Sequence, residues 1–147
     1  MPTARRPVRG PAKEPSDEPP VLRPVTVEGS CHCGRVRISV PNAPDWVASC
    51  DCSLCRKTGW LLAYYHPDQV KISGETIPYV WGDRLIGIHH CPVCGCGTHW
   101  SALAEALAGD LDEDLRHSLE NRMGVNARLL DGFDPAQVEI RYVHNAG

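Results

Sequence analysis

Eight cysteines gathered in three short clusters constrain this chain more than any other feature of its sequence. The clusters are Cys31 and Cys33; Cys50, Cys52 and Cys55; and Cys91, Cys94 and Cys96. When one or two residues separate two cysteines, a turn can aim both sulfurs at one ion about 2.3 Å away. A disulfide between such near neighbours would close a small, strained ring. In a chain that shows no export signal, the clusters therefore indicate metal ligation by thiolates.

Residues 1–24 differ in composition from the remainder. They hold seven of the 13 prolines and five Lys/Arg against three Asp/Glu, without apolar periodicity, which predicts a disordered leader before a single domain at 25–147. Neither a secretory signal nor an apolar run long enough for a membrane span is found, so we expect a soluble cytoplasmic protein with no membrane partner. The remainder carries 10 Lys/Arg against 15 Asp/Glu, which argues against a nucleic-acid partner.

Short strands separated by turns account for most of the sequence after the leader. Val36, Ile38 and Val40 alternate with polar residues and predict a half-buried strand that ends at Pro41. Further strands are predicted at 46–49, 61–65, 70–72, 77–81, 85–89, 125–130 and 138–143. The pattern predicts an all-β domain of antiparallel sheets with metal-binding turns in its loops.

The segment 101–121 departs from the strand pattern. Its leucines recur every fourth residue, at 103, 107, 111, 115 and 119, which keeps them on one slowly rotating helix face. Gly109 could divide the segment into two helices. Two interpretations remain: a helical insertion that covers part of the β domain, or a helix that binds a partner, including a second copy of the chain in a homodimer.

Spacing alone leaves more than one way to distribute the cysteines between ions. A zinc ribbon would join Cys52 and Cys55 with Cys91 and Cys94, but the 35 residues between these pairs are long for that module. The more economical partition joins Cys31 and Cys33 with Cys91 and Cys94 in a closed four-thiolate structural site. The trio Cys50, Cys52 and Cys55 then holds a second ion with three protein ligands, as catalytic zinc usually is.

Three stretches together resemble the glutathione-dependent formaldehyde-activating enzyme family, whose domain is shared with centromere protein V: GSCHCGRVR (29–37), CDCSLCRKTG (50–59) and CPVCGCGTHW (91–100). The resemblance implies a β-tent fold of antiparallel sheets around two zinc ions. It implies a structural zinc on Cys31, Cys33, Cys91 and Cys94, and a catalytic zinc on the trio.

The resemblance also implies a chemistry, the joining of formaldehyde to glutathione, which is a carbon–sulfur lyase reaction in the reverse sense. Zinc with an exchangeable position would deprotonate the thiol and could polarise the carbonyl oxygen. The partners would be a glutathione-like thiol and an aldehyde. The alternative is a non-catalytic, zinc-scaffolded binding module, which a fourth protein ligand on the second zinc would favour.

Several other residues are candidates with open alternatives. Cys96 is a buried small residue, a fourth ligand of the second zinc, or a reactive thiol. Arg56 and Lys57 follow the trio and either bind the carboxylates of glutathione or form a solvated pair. His89, His90 and His99 flank the third cluster, as donors to the site or as packed side chains. Tyr64 is expected in the core or in a pocket wall.

The leader generates the first prediction. Residues 1–24 have too little apolar content to offset an ordering cost of roughly 1–2 kcal/mol per residue for the backbone. We expect a chain that starts at Val25 to melt within a few degrees of the full chain, as measured by circular dichroism. A large loss of Tm on truncation would contradict the prediction and show that the leader contributes to stability.

Overall fold

The computed structural model of the protein describes residues 26–144. This range is mostly β, with short helices between strands, and the predicted all-β class with a helical insertion is confirmed. The predicted disordered leader at 1–24 lies outside the described residues. No helix in the described range is long and apolar enough to cross a membrane.

Ten strands and three α-helices follow one another along the described chain. The strands are β1 (Val27–Ser30), β2 (Arg37–Val40), β3 (Trp46–Cys50), β4 (Leu62–Tyr65), β5 (Lys71–Ser73), β6 (Ile77–Tyr79), β7 (Ile86–His90), β8 (Gly97–Ala102), β9 (Met123–Asn126) and β10 (Glu139–Val143). The helices are α1 (Ser53–Thr58), α2 (Ala104–Ala108) and α3 (Glu113–Asn121).

The strands form two sheets. The smaller has three strands in the order β1-β2-β5, and the larger has seven in the order β10-β3-β4-β9-β8-β7-β6. Neighbouring strands are antiparallel except for β10, which runs parallel to β3. Strands distant in sequence, such as β4 and β9, therefore become neighbours at the centre of the larger sheet.

The main core joins the two sheets. Ile38 and Val40 of the smaller sheet pack in one cluster with Val47, Ala63 and Val125 of the larger sheet, and all five are buried. Apolar and polar residues alternate in β2 as predicted, so that Ile38 and Val40 point to the core while Arg37 is exposed. Burial of each such side chain contributes roughly 1.5–3 kcal/mol.

The structure departs from the predicted elements in several places. β1 and β8 were not predicted, because neither has a regular apolar alternation in its sequence. β8 also takes residues 101 and 102 from the predicted helical segment, so that α2 and α3 occupy 104–121 with a break between them. The predicted strand at 125–130 ends at Asn126 and continues as a 3₁₀ turn. The short helix α1, within the second cysteine cluster, was not predicted.

Two glycines in the larger sheet make room for tryptophan rings. A Cβ on Gly124 would lie 2.1 Å from Nε1 of Trp100, and a Cβ on Gly97 would lie 2.1 Å from Cζ2 of Trp60. These separations are far below van der Waals contact, so the indole rings lie directly against the strand backbone. Gly97 and Gly124 thereby fix where the two rings stand on the larger sheet.

Replacement of Gly124 by alanine should displace the Trp100 ring. We expect a loss of about 1–3 kcal/mol in the free energy of unfolding, as for overpacking elsewhere, together with a change in tryptophan fluorescence. Gly109→Ala is the matched control, because the nearest atom to its added Cβ is 3.4 Å away, an ordinary contact. Equal stability of the two variants in urea denaturation would contradict the prediction.

Candidate active site

Four cysteines from two distant turns meet between the sheets. Cys31 and Cys33 lie in the turn that follows β1, and Cys91 and Cys94 lie in the turn between β7 and β8. Their sulfur atoms all lie within 4.8 Å of one another. The Sγ of Cys33 is 3.6 Å from the Sγ of Cys31 and 3.6 Å from that of Cys91. The structure thus brings the first and third clusters together, as the economical partition predicts.

The two turns have matching backbone geometry. Each ends on a glycine in the left-handed region, Gly34 with φ 82° and Gly95 with φ 77°, which a residue with a Cβ rarely adopts. In each turn a backbone N–H group points at a sulfur: Val36 N donates to Cys31 Sγ over 3.3 Å, and Val93 N to Cys91 Sγ over 3.4 Å. Burial opposes ionisation of Cys31, but the N–H group of Val36 and the adjacent thiols together lower its pKa.

The four-cysteine cluster fits a tetrahedral thiolate site. A tetrahedron with metal–sulfur bonds of 2.3 Å has sulfur–sulfur edges of about 3.8 Å, close to the 3.6 Å separations found here. Cys31 and Cys91 are buried, with 2% and 0% of their surface exposed. Cys33 is exposed and Cys94 is half-buried, so the cluster lies at the edge of the core. A closed set of four sulfur donors can hold a metal ion in a structural role.

The second cluster is built where a strand passes into a helix. Cys50 ends β3, Cys52 is the N-cap of α1, and Cys55 lies in the first turn of that helix. The three sulfurs lie within 4.8 Å of one another. Cys55 N donates to Cys52 Sγ over 3.3 Å, and Cys52 N to Cys50 Sγ over 3.5 Å. Among the described residues this metal-competent group has three ligand atoms rather than four.

The three thiols of the trio need a nearby positive charge in order to ionise together. Burial raises the pKa of the Cys55 thiol, and its neighbour Cys52 raises it further. Burial also opposes ionisation of Cys52, but the N–H group of Cys55 and the adjacent thiols together lower its pKa. Three negative sulfurs at this spacing repel one another, so all three can ionise at neutral pH only with a nearby positive charge. A divalent metal ion would supply that charge.

Cys96 lies with the four-cysteine cluster rather than with the trio. It packs against the buried Cys31 and Cys91, together with Cys94, and its own backbone carbonyl accepts a hydrogen bond from Cys91 N over 2.9 Å. It belongs to neither metal-competent group of the described residues. The geometry therefore gives no support to Cys96 as a fourth ligand of the second site.

A cavity of about 280 Å³ opens beside the trio. All three cysteines line it, and its other walls are largely aromatic and aliphatic. These walls comprise Leu54, Thr58, Trp60, Leu62, Tyr64, Trp81, Ile86, Ile88, Trp100, Ser118 and Arg122. The tryptophans held by Gly97 and Gly124 are among them, so the packing of the larger sheet shapes the cavity. Its apolar lining would limit the water around a small reactant.

The helical insertion supplies the cavity with its positive charge. Arg122 follows α3 directly, as its C-cap, and its guanidinium lies 3.7 Å above the centre of the Tyr64 ring. Burial raises the pKa of Tyr64, although Arg122 acts in the opposite direction. The phenol therefore keeps its proton at neutral pH. Tyr64 is in the pocket wall, one of the two places that the sequence suggests, whereas no local pattern in the sequence singles out Arg122.

Arg56 and Lys57, which the sequence suggests for carboxylate binding, do not line this cavity. Both side chains are exposed on the last turn of α1. Arg56 borders a different hollow of about 340 Å³, which Cys50 and Cys55 share from their other side and to which Arg128 and His144 also contribute. Leu54 and Thr58 line the aromatic cavity, whereas Arg56 and Lys57 lie on other faces of the same helix.

Two of the histidines near the third cluster pack against each other. The rings of His89 and His99 are stacked with centroids 4.3 Å apart. His89 Nδ1 lies 2.8 Å from Thr76 Oγ1, and His99 Nδ1 lies 2.9 Å from Thr98 Oγ1. Burial, reinforced by His89, lowers the pKa of His99 to about 4. His89, His90 and His99 do not line the trio's cavity. His89 and His90 instead border a neighbouring hollow, which shares four wall residues with that cavity.

Known proteins resemble this chain in sequence and in fold. A family model described as "Glutathione-dependent formaldehyde-activating enzyme" matches residues 26–121, which include all eight cysteines. A Halomonas elongata protein that is provisionally named a glutathione-dependent formaldehyde-activating enzyme is 27% identical over 132 aligned residues, covering 78% of this chain and 82% of that protein. The crystal structure of a Rhodobacter sphaeroides protein matches with a TM-score of 0.58 and 28% identity, covering 78% of this chain and 99% of the other.

Proposed function

Because the chain belongs to the glutathione-dependent formaldehyde-activating enzyme family, we propose that it is a zinc-dependent carbon–sulfur lyase that joins an aldehyde to a glutathione-like thiol. The observation that carries the proposal is the position of Cys50, Cys52 and Cys55: three metal-competent sulfurs on the wall of a cavity. Three protein ligands beside a space for a small molecule are typical of a catalytic rather than a structural zinc site.

The reaction is an addition that needs no oxidant or reductant. The thiol sulfur forms a bond to the carbonyl carbon of formaldehyde, the π electrons of the C=O bond move to oxygen, and the proton lost by the thiol ends on that oxygen as a hydroxyl. The product is an S-hydroxymethyl thioether, and the lyase direction reverses each step. The protein must therefore make the thiolate available and stabilise an oxygen that becomes negative.

The residues of the chain fit these two requirements. A zinc ion bound by the trio would lower the pKa of an incoming thiol, so that it reacts as the thiolate near neutral pH. Tyr64 keeps its phenolic proton and lies in the wall of the same cavity, beside the cationic Arg122. It can donate a hydrogen bond to an oxygen that gains negative charge. The tryptophans in its wall would limit the water that competes for the aldehyde.

We further propose that the protein acts in the cytoplasm. None of the eight cysteines forms a disulfide, and the reducing cytoplasm keeps thiols available as metal ligands.

A non-catalytic binding module would instead use both zinc ions for scaffolding. A binding module would be favoured if Cys96 were a fourth ligand of the second zinc. The packing of Cys96 against Cys31 and Cys91 does not suggest that role.

Thiol binding at the trio can be observed directly with cobalt in place of zinc. We expect 2-mercaptoethanol and glutathione each to alter the visible charge-transfer bands of the cobalt protein and to release a proton near neutral pH, since the thiol binds as thiolate. Cys96→Ala should respond in the same way as wild type. If the wild-type bands ignore thiols and the Cys96→Ala bands respond, Cys96 closes the site and the enzyme proposal fails.

The two cysteine groups should differ in what their loss does. Cys33→Ser should unfold or strongly destabilise the domain, because structural zinc binding contributes on the order of 10 kcal/mol to folding. Cys52→Ser should lose one zinc ion and the lyase activity, while its circular dichroism stays close to wild type. Metal analysis of each purified protein measures the outcome.

Wild-type protein should contain two zinc ions per chain, one for each group of cysteines. One zinc ion per folded wild-type chain would contradict the partition. A Cys52→Ser variant as unstable as Cys33→Ser would contradict the division of roles.

A further inference from the structure

The aromatic cavity shares two lining residues with a second hollow, which has no role in the proposed reaction. This groove, of about 440 Å³, is lined by Asn42, Pro44, Asp45, Trp46, Tyr64, Tyr65, His66, Gln69, Asn121 and Arg122. Tyr64 and Arg122 border both spaces. This pair is therefore the boundary that a molecule with its sulfur at the trio would have to pass in order to enter the groove.

Arg122 is suited to meet a carboxylate at this junction. Within the described residues it is the one Lys or Arg that lines the aromatic cavity. Its guanidinium lies 3.7 Å above the Tyr64 ring, and this contact favours a side-chain position at the junction. No salt bridge within the described part of the chain occupies it. A planar guanidinium binds carboxylates with two parallel hydrogen bonds.

The groove also carries a negative charge, on Asp45. Asp45 is exposed and forms no salt bridge among the described residues. His66 also lines the groove, and its Nδ1 lies 3.7 Å from Asp68. Asp45 and Arg122 are the other charged residues in the lining, and their charges are opposite. One cation and one anion complement a ligand end that carries one charge of each sign.

The hollow on the other side of the trio has a different charge pattern. It contains Arg56 and Arg128, and its carboxylate, Asp51, is already 3.0 Å from His144. Two arginines without a comparable unengaged acid would suit a lone carboxylate rather than a carboxylate next to an ammonium group. The groove, unlike this hollow, therefore complements a ligand end that carries both charges, such as the γ-glutamyl end of glutathione.

Resting on the proposed function, we propose that the groove is the subsite for the amino-acid end of the thiol substrate, with Arg122 binding the α-carboxylate and Asp45 binding the α-ammonium group. The substrate class is a thiol that carries a zwitterionic amino-acid end within reach of its sulfur. Arg122 and Asp45 are specificity-determining residues, since neither is needed to bring the sulfur to the trio.

The test uses ligands that cannot bind through sulfur as a thiolate. S-Methylglutathione carries the full amino-acid end, and N-acetyl-S-methylglutathione has a neutral acetamide in place of the ammonium group. Binding to the metal-loaded full chain is followed by tryptophan fluorescence, because Trp60, Trp81 and Trp100 line the cavity. Wild type should prefer the first ligand. Arg122→Gln should weaken both about tenfold, as expected for the loss of a charge-assisted contact.

Asp45→Asn should remove the preference between the two ligands by weakening S-methylglutathione alone. Arg122→Lys should restore part of the affinity and guards against a purely structural effect of Arg122→Gln. Arg56→Gln and Arg128→Gln, the rival cations, should keep the wild-type affinity and preference. The proposal is overturned if wild type shows no preference, if Asp45→Asn retains it, or if a rival arginine rather than Arg122 sets the affinity.

The cobalt bands separate this inference from the proposed function. 2-Mercaptoethanol, which has no amino-acid end, should change the bands of Arg122→Gln and Asp45→Asn as it does those of wild type. If wild-type cobalt protein ignores thiols, the proposed function fails whatever the groove binds. If the bands respond normally and the variants do not alter discrimination between the two glutathione derivatives, the groove assignment alone fails.

Discussion

The contact between two pairs of cysteine sulfurs organises the rest of this structure. Cys31 and Cys33 belong to the turn that leaves the smaller sheet, and Cys91 and Cys94 belong to a hairpin of the larger one. Sulfurs 3.6 Å apart from residues 58 positions apart in sequence are costly to hold together without a shared ion, because thiolates repel one another. A metal ion that bridges them would offset the entropy of closing that long loop, and would set the relation of the two sheets from which the cavity is built.

The two cysteine groups differ in environment although their chemistry is alike. The four-cysteine group is closed by its own geometry and buries Cys31 and Cys91, with Cys96 packed against it. The trio sits where β3 ends and α1 begins, half-buried, with a cavity on one side and a cationic hollow on the other. A strand-to-helix junction suits such a site, because it spaces three ligands while leaving the sulfurs accessible from outside. The number of ligands and their access to a cavity, rather than the ligand type, separate a structural role from a catalytic one.

The helical insertion contributes residues to the wall of the cavity. Four of its five leucines are not fully buried, and Leu119 alone among them joins the core of the described chain. The regular leucine spacing is therefore used only in part for packing. What the insertion does supply is the end of α3, where Ser118 and Arg122 complete the cavity wall and His66 Nε2 meets Asn121 Oδ1 over 3.1 Å. A short helix laid across the sheet thus brings polar groups to an otherwise aromatic cavity.

The sequence by itself determined the features that depend on local spacing. Cysteine spacing predicts metal ligation and leaves the partition into groups of four and three as one of several alternatives. Alternation predicts β2 and its inward Ile38 and Val40, and a four-residue leucine period predicts the helical insertion. Each of these follows from how a turn, a strand or a helix projects neighbouring side chains. The tertiary structure alone decided which cations face the cavity. Arg122 does so and Arg56 does not, because the orientation of α1 and the path of α3 over the sheet depend on contacts between distant segments. The same holds for the tryptophan walls, since Gly97 and Gly124 admit those rings only once β8 and β9 are paired with strands far away in sequence.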